Sequence, residues 1–174
     1  MVPRSYLEFM ITAAGAAGAM IGLLFVAVSL RTELVFGKDA PPKARTLASS
    51  SFTSLVNAFS LSINAIVPQT NIGYAMCVLA VICLYNTLNL HLRTFGVRPQ
   101  WRVLVVSVLN YLAELSGGIT LLARPHEHWI VNGLCYVIFA SFIIALNRAW
   151  LLIKSESALD PSLLSKTPAN RTGR

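Results

Sequence analysis

Charged side chains are scarce in this chain. Of its 174 residues only 12% are Asp, Glu, Lys or Arg, about half the ~25% that a water-solvated domain carries. With 55% apolar residues and a mean hydropathy of +0.64, the deficit excludes an ordinary soluble domain and points to lipid as solvent. Acids are the rarest class, seven in all. Glu114 is the one that falls in the middle of an apolar run, so paired catalytic carboxylates within such a run are excluded. Cysteine is almost as sparse. Cys77, Cys83 and Cys135 all lie inside apolar segments without CxxC spacing, so no zinc or redox site is expected and they read as small core-filling residues. There is no GxSxG, HExxH, P-loop or GxGxxG. With no His at the depth of Glu114, an intramembrane hydrolase is not expected. Nothing suggests haem, quinone or any other cofactor.

A formal net charge of +7 would fit a nucleic-acid partner, but the basic residues sit at the ends of apolar runs and form no single patch, so that partner is rejected. What fills the chain is a series of apolar segments near the ~20 residues that cross a bilayer as helix. Their spacing predicts an all-α, five-span membrane bundle over residues 6–30, 46–67, 72–92, 103–123 and 130–153, with residues 155–174 as a disordered tail. The uncharged Pro68-Gln69-Thr70-Asn71 turn divides a stretch too long for one span into a helical hairpin. The first segment is too long, and its small residues too early, for a cleaved signal peptide.

The first span begins with Ala and Gly and ends bulky and apolar. Ala14, Gly18 and Gly22 share one helical face, and Gly18 to Gly22 is a GxxxG step. Such a face lets another helix approach closely, within the protomer or between protomers. The second span is unusually polar. Thr46, Ser50, Thr53, Asn57, Ser60 and Asn64 recur at steps of four and three, a seam of hydroxyls and amides. That seam is read either as interhelical hydrogen bonding or as the wall of a watered path.

Glu114 is the sharpest candidate for chemistry. An ionised carboxylate at mid-bilayer costs several kcal/mol unless it is paired or wetted. Ser107, Asn110, Glu114 and Gly117 fall on one face, and Gly117-Gly118 offers a second small-residue packing site. A strip of this kind suits a proton- or cation-linked pathway; the bland alternative is a hydrogen bond from Glu114 to Asn57 or Ser60 that fixes helix register. His126-Glu127-His128 is read as a solvated loop, and Asn86 and Asn89 as groups able to cap or bind. Arg148, near the end of the last span, is expected to snorkel to the interface.

The run GAAGAMIGLLFVAVSLR, followed by a polar second span and a Pro-ended hairpin, resembles small uncharacterised bacterial polytopic membrane proteins. The resemblance covers the first span and the start of the hairpin. It implies the inner membrane and brings no catalytic residue. With five spans, twelve of the fourteen basic residues fall on one side, which places the N-terminus outside and the C-terminus in the cytoplasm. The expected function is a small oligomeric channel or transporter for protons, cations or a small polar solute, with Glu114, Asn110, Ser107, Asn57, Ser60 and Asn64 along its path. The alternative is a non-conducting subunit that assembles with another membrane protein. Beyond the lipid bilayer, the expected partner is a second copy or another membrane protein.

Overall fold

The computed structural model describes residues 4–30, 32–37, 42–68, 70–93, 101–124 and 128–157. They form five long helices and one short one: α1 (Arg4–Ser29), α2 (Thr32–Phe36), α3 (Pro42–Ile66), α4 (Ile72–Arg93), α5 (Trp101–Ala123) and α6 (His128–Ser157). Four of them, over Tyr6–Ser29, Ile72–Leu90, Trp101–Ala123 and Trp129–Leu152, are long and apolar enough to cross a membrane. Residues 155–157 of the expected disordered tail instead continue α6, and the rest of that tail, from 158 onward, lies outside the described residues, as does the middle of the histidine loop.

The 25-residue α3 is not one of the four apolar helices. Its polarity is explained by where it sits. It packs against α1, α4 and α6, and Thr46, Ser50, Ser51, Ser54, Asn57 and Ser62 are all buried. Neighbouring helices cover it where lipid would otherwise lie. The start of α3 also runs four residues ahead of the expected Thr46, because Pro42 fits the first position of a helix, where no N–H is needed. The connection before α3 holds a feature the sequence reading passed over. The short α2 buries Val35 against Ala44, Leu47, Ala48 and Leu152, and Thr32 Oγ1 donates to Ser29 O (2.8 Å).

Helices α3, α4, α5 and α6 form a ring in which each packs on the next, with α3 and α5 on the diagonal. Neighbours in the ring run antiparallel, and α1 lies outside against α3 and α6. The bundle therefore has two ends. One holds the starts of α3 and α5 and the finishes of α4 and α6, and is called here the Arg45 end. The other is the Pro68 end. The Pro68 half is apolar: Met10, Ala58, Leu61, Met76, Leu134 and Ile138 are each no more than 2% exposed and form one cluster. Helices α4 and α5 approach closely where Gly118 faces Gly73. A Cβ on Gly118 would lie 2.9 Å from Gly73 O and 2.8 Å from Cys77 Sγ, so only glycine allows these helices to meet. A Cβ on Gly117 would lie 3.1 Å from Met76 Cε, and one on Gly18 would lie 3.7 Å from the Phe59 ring. Ala14 is buried, whereas Gly22 faces open space with no other helix near it. The exposed surface is rich in Leu23, Phe25, Val81, Ile82, Leu109 and Phe139, the character of a surface covered by lipid.

Candidate functional site

The diagonal helices α3 and α5 do not touch through their backbones. Side chains bridge the gap, and the bridge is polar. On α5 the fully buried face is Ser107, Tyr111, Glu114 and Gly118. It is centred one position from the strip expected from the sequence, so Asn110 and Gly117 lie at its edge, half-buried.

The deepest layer joins Asn57 to Glu114. Asn57 Nδ2 donates to Glu114 Oε2 at 2.7 Å, and Cys83 Sγ on α4 donates to Asn57 Oδ1 at 3.5 Å. Glu114 is 0% exposed, and among the described residues its second oxygen, Oε1, has no hydrogen-bond partner. A carboxyl oxygen buried without a partner is costly to keep.

One turn toward the Arg45 end, Ser54 Oγ and Tyr111 Oη lie 3.5 Å apart. Ser54 Oγ already donates to Ser50 O (3.1 Å), which leaves it as the acceptor for Tyr111. Above this layer lies Arg148. It does not snorkel: it is 2% exposed, because α6 runs on past it to Ser157 and carries it on the buried face with Ile138, Ser141, Ala145 and Leu152. Its Nη1 donates to Ser50 O (3.1 Å) and Ser54 Oγ (3.3 Å). Its Nη2 donates to Val103 O (3.3 Å) and to Ser107 Oγ. The planar guanidinium thus clamps α3 to α5 through four neutral oxygens, a task its fixed fork of donors suits. Nε has no partner.

Of the sequence-expected path residues, the core brings together Asn57, Ser107 and Glu114. Asn110 is beside it, donating through Nδ2 to Ser141 Oγ (3.1 Å) on α6. Ser60 and Asn64 are half-buried, and Asn64 Nδ2 donates to Ser60 O (2.8 Å). Arg148, Tyr111, Ser54 and Cys83 were missed. A signal for Arg148 was present: residues 134, 138, 141, 145, 148 and 152 repeat at steps of four and three, which puts the arginine on the same stripe as core residues.

A polar cleft opens between α3 and α4 at the Arg45 end. Its volume is about 340 Å³, and it is lined by Ser49, Ser50, Thr53, Asn86, Thr87, Asn89 and Leu90. Thr53 and Thr87 each lie four residues, one helical turn, from Asn57 and Cys83. Polar side chains therefore step from the cleft down to Glu114, and the apolar cluster of the Pro68 half closes the core below. Among the described residues no group of His, Cys, Asp and Glu could hold a metal ion. Comparison with family models, with curated proteins and with solved structures returns no match to this chain.

Proposed function

We propose that this chain is a small multi-pass protein of the bacterial inner membrane that carries protons or a small polar solute, with Glu114 as the protonatable group reached from the α3–α4 cleft. The observation that supports this reading best is the buried Oε1 of Glu114, left without a partner at the foot of a polar stair from the cleft. A core built for stability alone would satisfy or omit that atom. In this reading α3 is a fifth crossing, polar because its neighbours wrap it, and the cleft faces the cytoplasm, where the positive-inside rule puts the Arg45 end.

Arg148 sits on the core axis between the cleft end and Glu114. Its fixed positive charge repels protons and other cations alike on that axis, so entry runs along α3 and α4 and avoids the axis. Ser107 belongs to the arginine clamp, and Asn110 ties α5 to α6 beside the path.

One observation favours a second reading. The apolar layer of Leu61, Met76, Leu134 and Ile138 is complete, and Gly15, Ala19 and Gly22 of α1 are exposed. A non-conducting subunit that docks α1 against another helix would have these features. Flux in proteoliposomes separates the two. Under an imposed gradient, the carrier reading expects proton or solute movement above that of empty liposomes, lost in Glu114→Gln. Flux unchanged in Glu114→Gln removes Glu114 from the path, and no flux from folded protein favours the docking subunit.

A further inference from the structure

We propose that the α3–α4 cleft is a binding site for a polyol, presented either by a free neutral solute or by a lipid headgroup. The inference deepens the reading above and rests on the cleft being its watered entrance. Among the described residues the walls contain hydroxyls and carboxamides and no ionisable side chain. An anion would find no cation among the lining residues. A bare cation needs oxygens converging at ~2.3–2.6 Å, and a cleft of about 340 Å³ is too wide for that. Its volume falls at the small end of the range for small-molecule sites, ~300–1,000 Å³.

Two of the four hydroxyls are polarised in one sense. Thr53 Oγ1 donates to Ser49 O (3.0 Å) and Ser50 Oγ to Leu47 O (3.1 Å). Their protons are committed to the backbone of α3, so what they offer a ligand is lone pairs. Asn86, exposed on the facing helix, supplies both an acceptor and two donors. A ligand that matches must donate to α3 while exchanging bonds in both directions with α4. Adjacent hydroxyls do this, because each one is donor and acceptor at once. Leu90 adds an apolar patch for the C–H face of such a molecule. Asn86 and Asn89 lie seven and four residues from the end of α4 at Arg93, roughly 6–10 Å along the helix axis. The polar interfacial region of a bilayer is ~5–8 Å thick on each side, a depth that brings lipid headgroups to the mouth of the cleft, which is why a headgroup is one of the two sources.

The test uses the full chain in lipid nanodiscs. Saturation-transfer NMR with myo-inositol probes the free solute, with acetate and tetramethylammonium as charged controls. Native mass spectrometry compares retention of phosphatidylglycerol with that of phosphatidylserine, which share charge but not the polyol. Signal from myo-inositol alone assigns a free solute; selective retention of phosphatidylglycerol alone assigns a headgroup. Either result supports the site when it weakens by about fivefold for each bonding group removed in Thr53→Val and Asn86→Leu. Leu90→Trp, which fills the cleft without touching its polar groups, should abolish binding in a protein of unchanged helix content. No polyol signal from either source, an equal signal in these variants, or preference for either ion overturns the assignment. Glu114→Gln should bind polyol as the wild type does. Flux without polyol binding therefore overturns the cleft assignment and leaves the Glu114 reading standing, while polyol binding without flux does the reverse.

Discussion

Glu114 and Arg148 are the two ionisable acid and base side chains with almost no exposure in the described core, yet the hydrogen bonds of the Arg148 guanidinium go to neutral oxygens. They are about two helical turns apart along α5, since Arg148 bonds Ser107 and Glu114 is seven residues on. Each is held by its own polar set, and the sets meet at Ser54 and Tyr111. The consequence for stability is specific. Asn57→Ala removes the one partner of Glu114 and should destabilise the protein by ~1–3 kcal/mol. Asn57→Ala combined with Glu114→Leu should cost less than the two single changes added together, because the orphaned carboxyl is gone as well. Thermal unfolding of the four proteins in one detergent measures this. Strictly additive losses would mean that the 2.7 Å bond carries no energetic coupling.

At the scale of helices, glycines of similar appearance in sequence have unlike roles. Gly118→Ala puts a methyl group 2.9 Å from a backbone oxygen of α4 and should cost ~1–3 kcal/mol by forcing α4 and α5 apart. Gly22→Ala adds a methyl group in open space and should be neutral or stabilising by up to ~1 kcal/mol, the helix propensity difference. The same unfolding assay reads both, and a destabilised Gly22→Ala would place an unseen helix against α1. Helix positions were legible because apolar runs end at residues such as Arg31, Pro68 and Arg93, each a physical stop. The Asn57–Glu114 contact was one of the pairings named from sequence, since both residues are mid-helix polar groups in need of a partner. Arg148 was not legible by distance from the chain end, because that measure takes the helix to stop where hydropathy falls, and α6 continues. The cleft was invisible for another reason. Asn86 and Asn89 form a site only beside Ser49 and Thr53, and pairing of α3 with α4 in this register is a tertiary fact.

For the whole molecule, the exposed tryptophans mark out a slab. Trp129 and Trp150 of α6 are 63% and 66% exposed, and the 21-residue step between them spans roughly 32 Å, close to the ~30 Å hydrocarbon core of a bilayer. Trp101 of α5, 60% exposed, lies at the same end as Trp150. Rings at both borders match the aromatic belts found at membrane interfaces, and on the five-crossing reading α3 runs through the same slab. On the five-crossing reading the two chain ends lie on opposite sides, so reporter fusions should place the N-terminus outside and the C-terminus in the cytoplasm. Both ends on one side would exclude five crossings.

The polarity of α3 has a consequence for how such a molecule is made. A helix with six buried hydroxyl or amide side chains among its 25 residues gains little by entering lipid alone, since those groups would lie in hydrocarbon. Its partners α4 and α6 are synthesised after it. On the five-crossing reading, α3 must wait at the insertion machinery or the membrane surface until α4 emerges, and it enters as half of a hairpin. The first stable membrane intermediate is then α1 by itself, and commitment to the final topology comes late in translation, when Arg148 reaches the carbonyl of Ser50.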